Sequence, residues 1–295
     1  MDTTYTSPVD KLLTLGKPES TAPDNWPNYL ELGLGPQHIP ELISMATDPV
    51  FRSLEAEKES EEDDPDYWAP LHAIRALGQL HAETAVEPLV NLLAVLEDDE
   101  WMLEELPSIY GMIGPAAIPV LSAYLSDASH DVYSRAYASN GLIDIAKRYP
   151  ESREECIAAI SKQLEAFEEN DYELNAFIIG DLASFNAVEA LPLIERAFKA
   201  DRVDEFVINL DYVLEEFGLK ERGEIPDPFA FGNFFENLEK RGSKISPDQI
   251  KIVSSDTPDT TPQMQNVRPS TYAATGNVIK FSAKKVTKKK GKKKR

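Results

Sequence analysis

A single cysteine, Cys156, stands among 295 residues. It has no partner for an internal disulfide, and alone it cannot make a thiolate zinc site. No apolar run approaches the roughly 18–20 residues that a membrane-spanning helix needs. Met1-Asp2-Thr3-Thr4 lacks the basic-then-apolar layout of a signal peptide, so a cytoplasmic location is expected. Sustained period-two alternation is missing, which leaves strands little part in the fold. There is no P-loop, no Gly-x-Gly-x-x-Gly fingerprint and no Gly-x-Ser-x-Gly elbow. Histidine is scarce: His38, His72, His81 and His130. Only His72 and His81 are close, and nine residues on one helix would set them on opposite faces. Neither a metal nor a cofactor is expected.

Basic residues are also few, 30 against 51 acidic, and they are unevenly placed. Ten of them fall at Lys280, Lys284, Lys285, Lys288, Lys289, Lys290, Lys292, Lys293, Lys294 and Arg295, and no acidic residue follows Asp259. Residues 1–279 therefore carry 20 basic against 51 acidic side chains, a body of −31 facing an end of +10. Such a body repels nucleic acid, whereas the end attracts polyanions, including the protein's own acidic surface.

What is present is a repeat. An Asp followed two residues later by an aromatic recurs before each helical apolar pattern, at Asp66/Trp68, Asp99/Trp101, Asp131/Tyr133 and Asp204/Phe206, with a variant at Asn170-Asp171-Tyr172. The aromatic markers step by 33, 32, 39 and 34 residues, the length of one helix-turn-helix unit. After the first marker, Leu71, Ile74, Leu77 and Leu80 share one face, and Val86, Leu89, Val90, Leu93 and Leu96 share a second. Between them the pattern breaks near His81-Ala82-Glu83-Thr84. The pair recurs over 103–113 and 118–125, 133–146 and 156–167, 174–185 and 188–198, and a fifth, shorter unit begins at Phe206 and fades after Phe217-Gly218.

Start signals agree with this parse. Asp66, Asp99, Asp131 and Asp204 suit N-cap positions, where a short side-chain oxygen accepts an orphaned N–H. Ser152 and Glu155 have capping-box spacing. Pro88, Pro119 and Pro192 fit early turns of the second helices. Upstream, 30–45 reads as an opening helix or pair broken by Gly33, Gly35 and Pro40, and 55–66 reads as an acidic loop. Downstream, 228–240 reads as an aromatic-rich helix capping the last unit. From about Ser246 the composition cannot build a core, which predicts disorder. The parse is an N-terminal arm (1–28), a right-handed all-α solenoid of about five helical hairpins (29–218), a capping helix (219–245) and a disordered Lys-rich tail (246–295).

The run Ala73-Ile74-Arg75-Ala76-Leu77-Gly78-Gln79-Leu80, followed by Pro88-Leu89-Val90-Asn91-Leu92-Leu93, resembles HEAT-like repeats of the phycobilisome-lyase type. Ile113-Gly114-Pro115-Ala116-Ala117-Ile118-Pro119-Val120-Leu121 is similar. From Trp26 to Phe198 the chain resembles a group of functionally uncharacterised bacterial HEAT-like proteins. Members of that group often end in a Cys-rich zinc motif; here 277–280 and the Lys run occupy its place without a cysteine, so no zinc-dependent role is carried over. The resemblance implies a fold and is nearly silent on activity.

Catalysis has little support. The carboxylates of 61–64, 97–100, 104–105 and 168–169 lie in adjacent pairs, which suits solvated helix ends better than a cleft that separates pKa values. Cys156 falls on an apolar helical face, as a small buried hydrophobe would. The expected function is a non-enzymatic scaffold whose acidic surface holds a basic or helical protein. Alternatives are RNA or ribosome association through the tail and handling of a bilin chromophore, the last only by resemblance. Candidate partner-binding residues are Trp68, Trp101, Glu104, Glu105, Tyr133 and Tyr172. The aromatics among them are also the residues expected to pack between neighbouring units, because a residue repeated at the unit period should fill the same niche each time. Lys284, Lys285, Lys288, Lys289, Lys290, Lys292, Lys293, Lys294 and Arg295 are the polyanion-binding candidates.

Overall fold

A computed structural model describes residues 5–20, 22–53, 65–96 and 100–221. Among these residues every regular element is helical. The α-helices are α1 (Ile39–Thr47), α2 (Pro49–Ser53), α3 (Ala69–Gln79), α4 (Val86–Leu92), α5 (Glu100–Ile113), α6 (Ile118–Ser126), α7 (Val132–Arg148), α8 (Arg153–Glu165), α9 (Tyr172–Ser184), α10 (Leu191–Lys199) and α11 (Leu210–Glu216). Most of the acidic loop at 55–66, the proposed capping helix and the Lys-rich tail lie outside the described residues.

First helices α3, α5, α7, α9 and α11 each pack on the next, and second helices α4, α6, α8 and α10 do the same. Between the rows, α7 packs on both α6 and α8, α8 also on α9, and α4 on α1 and α5. One hydrophobic core runs between the rows, from Tyr5 to Phe217. Among the described residues no single helix is long and apolar enough to cross a membrane. Met102–Ile113 and Pro115–Ser126 reach that apolarity only as a pair, bent by 116°.

Glycine sets how closely the first row packs. A Cβ on Gly111 of α5 would lie 3.2 Å from the backbone of Asp144 in α7, and one on Gly141 would lie 2.8 Å from the Tyr110 ring. Neither position has room for a larger residue, so the bare backbones of α5 and α7 let these helices meet.

Left-handed residues close three of the helices. Helix α3 ends in a Schellman motif: Ala82 N–H bonds to Leu77 O and His81 N–H to Gly78 O, with His81 at φ 49°. Helix α9 repeats it through Ala187, Leu182 and Asn186 at φ 53°, and α10 through Arg202, Ala197 and Asp201 at φ 57°. A 3-10 turn then leads into each second helix, at Glu83–Ala85, Pro115–Ala117, Pro150–Ser152 and Val188–Ala190. Pro119 and Pro192 occupy the first turn of α6 and α10, and Pro88 is the third residue of α4; in such positions the missing N–H costs no helical bond.

Three expectations are corrected. Pro40 does not break the opening helix but starts it, at the same early position of α1 as Pro119 in α6. The Ser152–Glu155 capping box is not formed, because Ser152 sits at φ −94°, ψ 0° inside the 3-10 turn and its side chain makes no cap bond. The fifth unit does not become helical at Phe206: Asp204 Oδ1 accepts the Phe206 N–H at 2.9 Å within a turn, and α11 begins at Leu210 under an Asn209 cap. Asp131 does cap α7, through Tyr133 N–H at 2.8 Å, whereas Asp66 lies in a 3-10 turn ahead of α3 and Asp99 is outside the described residues.

Residues 5–28, read as an arm, are packed on the first unit. Val9 and Leu12 are fully buried, Tyr5 Oη donates to Asp48 at 3.0 Å, and Lys11 Nζ reaches Leu32 O at 2.7 Å. Together with α1, which packs on α3 more extensively, this segment covers α3.

Candidate functional site

Two rows of helices have two edges where the chain turns. The edge formed by inter-unit turns, from each second helix to the next first helix, is drawn together by buried polar groups at the start of the first helices. Ser134 Oγ donates to Leu93 O at 2.7 Å and Arg135 Nε to Leu125 O at 2.8 Å. Asn175 Nδ2 donates to Phe167 O at 2.9 Å and Arg202 O at 2.7 Å. Arg202 donates to Glu168 O at 2.6 Å and Asn170 O at 2.7 Å, and Asp204 N–H reaches Tyr172 O at 3.2 Å. These bonds satisfy carbonyls at helix C-termini that would otherwise be orphaned. The turns are thereby pinned from inside, and their acidic side chains, Asp127, Asp131, Glu168, Glu169, Asp171, Asp201, Asp204 and Glu205, line the edge.

Aromatic surface is concentrated on the same side. Tyr133 is 45 % exposed, Tyr172 48 % and Phe206 81 %; with Tyr212 at 43 % they are the exposed aromatics among the described residues. Tyr133 meets Phe177 with ring centroids 5.6 Å apart. Its phenol is held above its ordinary pKa by burial, then by the nearby charges of Glu173, Asp131 and Asp204. The Arg202 guanidinium lies 4.2 Å from the Tyr172 ring centroid. Beside these residues an open cleft of about 460 Å³ is lined by Glu195, Phe198, Lys199, Glu205, Asn209, Leu210 and Asp211.

The opposite edge, made of the turns inside each unit, is different in kind. Its turns carry Glu83, Glu151 and Glu189, the last ion-paired to Arg153 at 2.6 Å, and Glu87, Glu154 and Glu155 follow in the first turns of α4 and α8. His81 Nδ1 and Tyr149 Oη both approach Met112 O, and Arg153 lies over the Phe185 ring at 5.3 Å. Gly114, at φ 96°, would place a Cβ 2.8 Å from the Tyr149 ring. This edge is closed by contacts between successive turns.

The titratable groups with the largest shifts are interior. Arg75 of α3 and Glu105 of α5 form a fully buried pair, with Nε–Oε2 at 2.6 Å; Arg75 also donates to Ser20 O at 2.8 Å and lies over the Trp26 ring at 4.6 Å. His72 Nε2 is 2.8 Å from Gly16 O, which can only accept. Nε2 therefore carries the proton, and Nδ1 accepts from Tyr29 Oη at 2.7 Å. Burial pushes this imidazole down to about 4, so it is neutral. Asp181 of α9 accepts from Ser139 Oγ at 2.6 Å and Asn140 Nδ2 at 2.7 Å, and burial raises it to about 7. These groups join first helices, or fasten the N-terminal segment to them, and none lines the cleft. Cys156 is buried, which lifts its thiol to about 11. Among the described residues no cluster of His, Cys, Asp or Glu could hold a metal ion.

The partner-binding candidates separate accordingly. Tyr133 and Tyr172 lie on the acidic edge. Trp68 and Glu105 are corrected: both are buried, Trp68 in the core and Glu105 against Arg75, and neither can meet a partner. Glu104 is half-buried on α5, and the side chain of Trp101 and the Lys and Arg residues of 284–295 lie outside the described residues. The shared-niche expectation for the markers is also corrected, since Trp68 is buried while Phe206 is 81 % exposed. Arg135, Asn175 and Arg202, which organise the edge, escaped the sequence reading. Their signal was a long polar side chain at the first turn of an otherwise apolar helix, or just after a helix end.

Residues 36–227 match the model of a family described as "Protein of unknown function (DUF1186)". No curated protein and no solved structure matches the chain.

Proposed function

The chain belongs to this family of unknown function, and from that premise we propose that it is a non-enzymatic protein-binding scaffold, a right-handed solenoid of HEAT-like hairpins whose acidic inter-unit edge receives a basic or helical partner. The observation that carries the reading is the segregation of charge and aromatic surface between two edges of one helical stack. Eight carboxylates and three exposed aromatics face outward along one edge, while the other is closed on itself. A fold maintained by core packing has no need of that asymmetry, whereas recognition of a cationic segment does: opposite charge steers the encounter, and aromatic faces hold lysine and arginine stems. Fold class alone would not license the step.

The test uses the full chain and a fluorescent Lys/Arg-rich helical peptide read by anisotropy. Glu169→Lys, Glu173→Lys and Glu205→Lys together are expected to weaken binding by about tenfold or more, at roughly 0.5–1 kcal/mol per screened charge. Glu83→Lys, Glu87→Lys and Glu151→Lys together are expected to leave it within about twofold. Equal loss in both triples, or loss in neither, would remove the reading.

The lysine-rich end supports a second reading, attachment to RNA or ribosomes by non-specific charge. RNA co-sedimentation that survives conversion of those lysines to glutamine would dismiss it.

A further inference from the structure

We propose that the chain's own basic end, residues 284–295, docks on the acidic edge around Tyr133, Tyr172 and Phe206, so that an external basic partner must displace it. The proposal rests on the reading of that edge as a binding face, and names its resident occupant.

Charge complementarity is the first support. The body carries −31 and the end +10, with no acidic residue after Asp259 to neutralise the lysines locally. His130 lies 3.7 Å from Asp127, Lys220 pairs with Asp211 of the cleft at 2.6 Å and Lys199 lines the cleft, but Asp131, Glu168, Glu169, Asp171, Asp201, Asp204 and Glu205 outnumber these cations. Arg135 is buried with Nε on Leu125 O, and Arg202 is fixed on the carbonyls of Phe167, Glu168 and Asn170. Ring geometry is the second. Arg202 over Tyr172 at 4.2 Å is a cation–π contact already made on this surface, and Phe206, 81 % exposed, offers a further face to an ammonium group or a lysine stem.

Reach is the third. The described chain stops at Glu221, just beyond α11, and Leu210 and Asp211 of α11 line the cleft beside this edge. Residues 222–283 span at most about 200 Å when extended, far more than a small helical stack requires. Covalent attachment makes contact between the end and the edge intramolecular, so it does not depend on protein concentration. Each lysine–carboxylate contact on such a surface is weak, about 0.2–1 kcal/mol, so several acting together within one chain hold the edge while leaving it open to displacement. The other edge has fewer carboxylates, and one of them is held by Arg153.

Because Cys156 is buried with a raised thiol pKa, Lys290→Cys in the full chain can be spin-labelled selectively. At low ionic strength the label is expected to broaden the amide signals of 131–133, 171–173 and 204–206 at least twofold more than those of 81–83, 114–117 and 149–152. Roughly 0.5 M salt, where the Debye length falls to a few ångströms, should erase the difference. In a second measurement, Lys→Gln at 288–290 and 292–294 should tighten binding of the external basic peptide severalfold. Broadening that is absent, equal on both edges, or dependent on protein concentration overturns the proposal, as does a peptide affinity indifferent to the lysines. If the peptide binds the edge but the label does not approach it, the docking idea fails and the scaffold reading survives. If the label approaches the edge but no external peptide competes, the scaffold reading fails instead.

Discussion

The inter-unit and intra-unit edges are built from the same repeat, yet they solve opposite problems. At the intra-unit edge, Schellman motifs follow α3 and α9, a 3-10 turn precedes each second helix, prolines stand early in α4, α6 and α10, and His81, Tyr149 and Arg153 tie one turn to the next. At the inter-unit edge the ties are on the inside, through Ser134, Arg135, Asn175 and Arg202, and the acidic and aromatic side chains of the turns lie on the outside. A turn held from behind by its carbonyls can carry repelling carboxylates and exposed rings at little cost to the fold. On the proposed reading, cohesion and recognition fall to different edges.

If that division is right, changes behind or opposite the acidic edge should alter stability and spare binding. The largest effect is expected at Glu105→Ala, which leaves the Arg75 charge buried without its carboxylate; denaturant unfolding should show a loss of about 3–5 kcal/mol. Next comes Gly114→Ala on the intra-unit edge. The positive φ costs roughly 1–3 kcal/mol for an L residue, and the new methyl must also displace the Tyr149 ring. Thermal unfolding should record the loss, with peptide affinity unchanged below the transition.

The smallest effect is expected at Asp181→Asn, and it depends on pH. Burial raises this carboxyl from 3.8 to about 7, so between those values the folded state holds a proton that the unfolded state releases. Stability is therefore lost as pH rises from about 4 through about 7. The amide variant should gain on the order of 1 kcal/mol at pH 8 and little at pH 5, flattening that slope in pH-dependent unfolding.

The stack was largely legible in the sequence. The apolar stripe from Leu71 to Leu80 announced α3, and Pro119 and Pro192 announced second helices, because periodicity and proline act through local backbone geometry. Helix ends were harder to see, since the left-handed residues closing α3, α9 and α10 are His81, Asn186 and Asp201 where glycine is the usual sign. The edge was legible only in part. Its carboxylates stand in the text, but what separates buried Trp68 from exposed Phe206 is the neighbour each meets, and the marker pattern carries no word of that neighbour. Likewise Arg75 and Glu105 lie one unit apart, and only the packing of α3 on α5 brings them together.

On the proposed reading one edge recognises and the other holds. The decisive measurement is hydrogen–deuterium exchange of the full-length chain carrying Lys→Gln at 288–290 and 292–294, with and without saturating basic peptide. Added protection confined to 127–133, 168–173 and 201–206 is the predicted result. Protection centred on 81–85, 114–117, 149–153 or 186–190 would contradict it.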